Sequence, residues 1–428
     1  MAVQPGPKGT RDFYPELMSF QEYLFDSWKK TCRRYSFEPY EAPMFEHLEV
    51  YTQKSGAEIE KQLYAFEDKG GRMIALRPEM TPSLARMVAA KGQALKRPVR
   101  WYSIPRLFRY EKMQKGRLRE FFQLNMDILG SNEISADTEL IAAVIDMMRD
   151  LGLGANDFQV RISSRTLLEE CFIAIGLPAE QFAPLYALLD RKNKIAPEAY
   201  QNDLAGIVPE ESLRTQINAL FAVQSLDAIQ EIAGETPALA ELQRLFDLLE
   251  KYAMKEYASF DIGIVRGLAY YTGTVFEVFA LGTTMRAIAG GGRYDKLVEL
   301  YGGPPTPAVG FAAGDVVLGD LLAEKGLLPP QASRCTVFIV ALDDAGFDGC
   351  IAMAQSIRAA GLACEFPLKQ IGVGKQLKQA DATGARVTLF YGGEELSNGT
   401  VKIKRMADGQ ETTVALADCI DKIRELLQ

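Results

Sequence analysis

Five segments of this chain hold residues whose types and spacing could do chemistry. The densest is Arg106-Leu-Phe-Arg-Tyr-Glu-Lys-Met-Gln-Lys-Gly-Arg-Leu-Arg119, where six basic residues (Arg106, Arg109, Lys112, Lys115, Arg117, Arg119) face one acid, Glu111. Planar guanidinium forks match phosphate or carboxylate oxygens two at a time. Arg77-Pro-Glu-Met-Thr81 sets the Glu79 carboxylate and the Thr81 hydroxyl two apart, able to hold an ammonium group from one side. Gln123 and Asp127 are four apart, so on a regular strand they share a face beside the basic stretch. Arg266-Gly-Leu-Ala-Tyr-Tyr-Thr-Gly273 joins one cation to two adjacent tyrosines, Tyr270 and Tyr271. Gly290-Gly-Gly-Arg-Tyr-Asp295 ends a strand with glycines, Gly291 at their centre, where a flat ligand could lie against backbone. Alone, each has a bland counterpart: a solvated loop, a turn, a core tyrosine pair. Together they offer carboxylates for an ammonium, arginines for phosphates and a glycine floor for a base. That set suits an amino acid activated by ATP.

These groups need a scaffold. Phe20–Arg34 repeats Phe20, Tyr23, Leu24 and Trp28 at helical spacing. Segments 72–76, 99–107, 121–129 and 158–162 have the short, β-branched or aromatic texture of strands, so the basic stretch becomes a hairpin with a cationic tip. A helix is expected over 136–151. From 165 to 255 the apolar stripes are helical only, which reads as packing faces of an inserted helical domain. Strands return at 260–265, 274–279 and 285–289. Pro329-Pro330 mark a linker, and strands at 337–341, 363–366 and 387–391 alternate with helices, as in a separate α/β domain. The domains are then 1–164 with 256–328, 165–255 inserted, and 333–428.

Composition narrows the classes. The 428 residues are 48% hydrophobic and 24% charged, which excludes a disordered or collagenous chain. No stretch approaches the apolar length of a membrane span, and the opening residues carry no export signal, so no membrane partner and a cytoplasmic location are expected. The six cysteines are scattered without a Cys-x-x-Cys pair, so they are read as reduced thiols with no structural zinc. The single histidine, His47, sits beside acidic neighbours and reads as a surface or interface residue, so neither a His-dependent metal site nor a Ser-His-Asp triad is expected. With a net charge of −8, any polyanion must bind a local basic patch.

The segments, with Lys8-Gly-Thr-Arg-Asp12 at the start, resemble histidyl-tRNA synthetases of class II over nearly the whole chain. Glu41-Ala-Pro43 with Phe45-Glu46 resembles motif 1, the dimer element; Phe108-Arg-Tyr-Glu111 through Gln123 resembles motif 2; and Arg266–Gly273 resembles the histidine signature, the most specific match. The resemblance implies an α+β fold, in which an antiparallel class II catalytic sheet carries the helical insertion and an α/β anticodon-binding domain follows. It implies a homodimer that uses ATP with Mg²⁺, L-histidine and tRNA(His). It assigns Glu79 and Thr81 to the α-amino group, and Arg109 to the α-phosphate and the carboxylate. Glu111 and Arg117 go to the nucleotide, Phe121 to adenine, and Gly291 and Arg293 to the ATP site. Gln123 contacts the amino acid, Asp127 with Tyr271 reads the imidazole, and Tyr270 shapes the pocket. Arg266, beside the reacting groups, shares the catalytic role with Arg109.

Four departures from the family pattern stand out. Lys112-Met113 replaces Arg-Pro in motif 2, Asp127 stands for a longer glutamate, and Ala269 for an aspartate. Motif 3 carries a valine, Val317 or Val316, where an arginine normally meets the ATP tail, and neighbouring Asp315 would add negative charge if it faced that tail. The alternative is therefore a non-catalytic relative, a regulatory subunit of ATP phosphoribosyltransferase. The near-complete Arg266 segment and the C-terminal domain favour the ligase.

Overall fold

The computed structural model describes residues 4–53, 62–192, 195–266, 270–330 and 334–428. The chain divides into two compact units, Met1–Leu328 and Pro329–Gln428.

The first unit is built on a nine-stranded sheet. Its strands are β1 (Glu38–Pro39), β5 (Val99–Ser103), β6 (Arg106–Phe108), β7 (Glu120–Leu129), β8 (Phe158–Ser164), β9 (Ala258–Phe260), β10 (Thr274–Ala280), β11 (Ala289–Arg293) and β12 (Ala308–Gly314). The order is β1-β5-β7-β12-β11-β10-β8-β9, with β6 on β7. Pairing is antiparallel except at the two ends, β1 with β5 and β8 with β9. A three-stranded sheet of β2 (Phe45–His47), β3 (Ala65–Glu67) and β4 (Met73–Leu76) accompanies it.

One face of the large sheet is sealed by the helices Pro15–Arg34 and Ile134–Asp150. Leu24 and Trp28 from the first, and Leu140 through Ile145 from the second, join Leu124, Met126, Phe276 and Phe311 in one core. Between 165 and 251 the elements among the described residues are all helices, as the stripes predict. The side chains Leu185, Leu204, Ile217 and Leu245 of this segment belong to that same core, so it extends the sheet's packing and forms no separate compact body. Ser164 caps its first helix by accepting from Leu167 N–H at 3.3 Å.

Three expected strands change. The run 99–107 breaks into β5 and β6 around Ile104-Pro105, since proline cannot donate to a ladder. The run 260–265 stops at Phe260 because Asp261 turns the chain, accepting from Gly263 N–H at 2.9 Å. The strand expected over 285–289 starts only at Ala289, and the glycines thought to end it form it.

The C-terminal unit has a five-stranded sheet, β14-β13-β15-β16-β17, made by Val337–Ala341 (β13), Cys364–Glu365 (β14), Val387–Tyr391 (β15), Thr400–Arg405 (β16) and Glu411–Ala415 (β17). The first three are parallel, and the last two, not foreseen in the sequence, add antiparallel. Cores lie on both faces: Val337 and Ile339 on one, Phe338 and Val340 on the other.

Candidate active site

Strand β7 sets the site by its alternation. Leu124, Met126 and Ile128 enter the helix-covered core, which turns Phe121, Gln123 and Asp127 to the open face. Across the sheet Asp127 stands opposite Trp101 on β5 and Gly310 on β12, and Gly310 opposite Gly292 on β11. The glycines in this row leave room that side chains would fill. A Cβ on Gly310 would land on the Asp127 carboxylate, one on Gly290 on the Arg266 guanidinium, and one on Gly292 within 2.9 Å of Tyr271 Cδ1. Gly291, expected to form this floor, faces away: its Cβ would meet Phe276 and Phe311 at 2.7 Å on the core side. Gly290 and Gly292 make the floor instead.

Carboxylates and cations gather above it. Tyr270 donates its hydroxyl to Glu79 Oε2 at 3.0 Å and is hydrogen-bonded to Thr81, the first residue of the helix Thr81–Lys91. Burial pushes the Glu79 carboxyl up in pKa, against the opposing charges of Arg109 and Arg266. Its Oε1 is buried and has no hydrogen-bond partner among the described residues. Such an unmet atom costs about 1–3 kcal/mol, and an ammonium would meet it. Arg109 Nε donates to the Pro78 carbonyl at 2.8 Å, and the guanidinium lies 5.3 Å from the Phe121 ring centre. Arg266 sits at φ +49°, left-handed backbone that costs a non-glycine residue about 1–3 kcal/mol and is found most often at functional sites. Its Nη1 donates to the Phe276 carbonyl at 3.4 Å, and its guanidinium lies 5.5 Å from the Tyr271 ring centre.

Asp127 is 3% exposed and accepts the Tyr294 hydroxyl at 2.5 Å. Burial pushes its carboxyl up to about 7 in spite of that bond. Tyr294 had no role in the sequence reading, although it shares the two-residue phase of Gly290 and Gly292 and so belongs to their face. Tyr270, Tyr271 and Tyr294 form one wall, with ring centres 5.0 Å apart for the first pair and 6.0 Å for Tyr270 and Tyr294.

The basic hairpin forms as read. Arg117 pairs with Glu111 at 2.7 Å, and the Arg119 guanidinium lies 4.1 Å over the Tyr110 ring. Arg119 N–H and Glu120 N–H both donate to the carbonyl of Gly9, at 2.9 and 3.2 Å, so the N-terminal segment braces the base of the hairpin. Val317 lies beneath the tip, where a Cβ on Gly116 would come within 3.0 Å of its Cγ2.

Two expected positions serve elsewhere. Arg293, assigned to ATP, is 8% exposed and held by Asp137, by Asp295 at 3.2 Å and by the carbonyls of Ser131 and Glu133 at 2.9 and 3.3 Å. Its guanidinium clamps the loop before the helix Ile134–Asp150, because a buried cation needs acids and carbonyls around it. Asp315 points inward, accepting from Arg11 at 2.6 Å and from Phe122 N–H at 3.0 Å, so it does not face an ATP tail. Ala269 lies outside the described residues.

Comparisons with known proteins agree with this geometry. Residues 9–315 match the family model described as histidyl-tRNA synthetase. The chain belongs to the histidyl-tRNA synthetase family. Residues 336–426 match a second model, an anticodon binding domain. Among curated members of the histidyl-tRNA synthetase family, the chain is 40% identical to the histidine–tRNA ligase of Opitutus terrae, covering 97% of this chain and 96% of that one. It is 38% identical to the chloroplastic/mitochondrial histidine–tRNA ligase of Arabidopsis thaliana, over 96% of this chain and 85% of that one. Among solved structures, histidyl-tRNA synthetase from Nostoc sp. PCC 7120 superposes with a TM-score of 0.84 at 25% identity, over 99% of this chain and 100% of that one. A Bacillus halodurans structure described as an ATP phosphoribosyltransferase regulatory subunit/histidyl-tRNA synthetase shares the fold, with a TM-score of 0.74 at 24% identity over 92% of this chain and 99% of that one.

Proposed function

We propose that the chain is an ATP-dependent ligase that activates L-histidine as histidyl-adenylate and esterifies it to tRNA(His) for translation in the cytoplasm. The observation that carries this reading is the unmet carboxylate oxygen of Glu79, buried in a pocket that also holds two arginines and Asp127. Glu79 and Thr81 receive the α-ammonium group, with Tyr270 fixing the Glu79 carboxylate. Gln123 contacts the amino acid, and Asp127 and Tyr271 read its imidazole. Glu111 and Arg117 hold the nucleotide, and Phe121 stacks on adenine.

In the first step a carboxylate oxygen of histidine attacks the α-phosphorus, the bond to the β-phosphate breaks, and pyrophosphate leaves. Negative charge spreads over the α-phosphate oxygens. Arg109 and Arg266 are already held, so they meet that charge without reorganising. In the second step a terminal ribose hydroxyl of the tRNA attacks the activated carbonyl and AMP leaves. Mg²⁺ brought with ATP would neutralise phosphate charge and would be held chiefly by the phosphate oxygens. Among the described residues no group of three or more His, Cys, Asp or Glu side chains is set to hold a metal.

Histidine-dependent ATP–pyrophosphate exchange on purified protein tests the reading. Exchange at a rate well above the histidine-free blank supports it, and none supports the regulatory-subunit alternative, which the valine in motif 3 favours. The reading includes a homodimer through the motif 1 sheet, whose Phe45 and Phe66 are 54% and 48% exposed. Sedimentation at micromolar concentration would then show about twice the 47.4 kDa chain mass, and a clean monomer would remove the dimer.

A further inference from the structure

A second unmet group lies in the same pocket, on a residue with no assigned role. Tyr40 follows β1, and its N–H donates to the Tyr102 carbonyl at 2.9 Å, which fixes it against β5. Its ring packs on Trp101, centre to centre 5.7 Å, and Trp101 stands directly opposite Asp127 across β5 and β7. Tyr40, like Tyr270, also packs against the cluster that contains Tyr271 and Tyr294. Its hydroxyl is buried and has no hydrogen-bond partner among the described residues. The charge of Asp127 reaches it, adding to burial in pushing the phenol well above its ordinary pKa.

A phenylalanine would fill the same space and leave nothing unmet. The hydroxyl therefore needs a partner, and Asp127 already has one in Tyr294. A neutral imidazole presents one N–H, which a carboxylate can accept, and one bare nitrogen, which needs a hydroxyl donor. Tyr271 and Tyr40 both bring a hydroxyl to that side, and the Tyr40 hydroxyl is the one buried without a partner among the described residues. We propose that Tyr40 is a substrate-contacting residue of the side-chain subsite, its hydroxyl hydrogen-bonding the imidazole of the bound amino acid beside Asp127. This rests on the ligase reading and extends its amino-acid specificity to a residue just past the first strand of the sheet.

The test is Tyr40→Phe in the full chain, which removes one oxygen and keeps the ring. Histidine binding by titration calorimetry should weaken about three- to tenfold, the loss of one neutral hydrogen bond. In exchange assays KM for histidine should rise by a similar factor while KM for ATP stays unchanged. Preference for histidine over thienylalanine, a ring of similar size without nitrogens, should fall with it. The ligand-free variant should melt at the same temperature as wild type or higher, since an unmet buried hydroxyl has gone. A lower melting temperature with unchanged histidine affinity would make the hydroxyl a structural group and overturn the proposal. Equal rises in both KM values would overturn it as general damage to the site. Failure of wild type to bind histidine at all would remove the ligase reading and this inference together, whereas binding without exchange would remove only the former.

Discussion

At the end of the pocket proposed for the amino acid, Glu79 and Asp127 are nearly sealed from solvent, seated on or beside strands and held by tyrosine hydroxyls. At the end proposed for the nucleotide, Glu111 and Arg117 ride on a hairpin whose Lys112, Met113, Gln114 and Lys115 are exposed, and beneath its tip lies an apolar residue, Val317. On the proposed function the first end would recognise by desolvation: its polar atoms cannot turn to water, so an ill-fitting ligand leaves them unmet. The second would recognise by charge on a more exposed hairpin, where the Arg117–Glu111 pair would reopen to take phosphate. Discrimination would then rest with the sealed end, and ATP affinity with the charges of the hairpin.

The largest effect should come where the two ends meet. Arg266→Ala should lower pyrophosphate exchange by about 10²–10³-fold with folding kept, and lysine should rescue only part, lacking the fork. Full activity of the alanine variant would dissolve the distinction between the ends at its centre.

The sealed end should also show itself in stability. Asp127, with a folded pKa of about 7 against an ordinary 3.8, favours its protonated form in the fold. That contribution is complete below pH 3.8 and is lost as pH rises through 7. Asp127→Asn stays neutral throughout, so its stability relative to ligand-free wild type should climb by up to about 1.4 kcal/mol per pH unit between those limits and then level off. Denaturant melts at pH 5 and 8 check this, and parallel curves would mean that the carboxylate is not desolvated.

A smaller effect is expected at the hairpin. Arg117→Ala should raise KM for ATP about tenfold, the worth of one charge-assisted contact, and leave KM for histidine alone. The reverse pattern would exchange the roles of the two ends. The smallest effect on activation belongs to the C-terminal unit: cutting the chain near Pro330 should leave exchange within about threefold, since Met1–Leu328 is a compact unit of its own, while tRNA charging collapses. Equal loss of both activities would tie the second unit to the first.

The sheet's alternation made Gln123 and Asp127 legible in the sequence, and the density of charge did the same for the hairpin. Glycine carries no such signal. Gly290, Gly291 and Gly292 look alike in a string, and only the register of β11 against β12 assigns two to the pocket and one to the core. Arg293 misled for a related reason: its buried acid partner Asp137 lies 156 residues away, and neighbouring Asp295 by itself does not reveal that the charge is matched inside the fold. Tyr40 and Tyr294 carry no signal in the sequence, because what sets each apart is the placement of one hydroxyl oxygen. The added strands β16 and β17 were missed although Val401 and Ile403 alternate with lysines, a pattern short enough to pass for a polar loop.

The bare floor of Gly290, Gly292 and Gly310 has a consequence for redesign. A floor without side chains is already as low as a polypeptide allows, and any atom added there strikes Asp127, Arg266 or Tyr271. The tyrosine wall, by contrast, has bulk to give up. On the proposed function, engineering of this pocket should therefore run in one direction: trimming Tyr270 or Tyr271 would open space for amino acids with larger ring systems, while no single substitution in the floor would shrink the site for smaller ones without displacing Asp127, Arg266 or Tyr271.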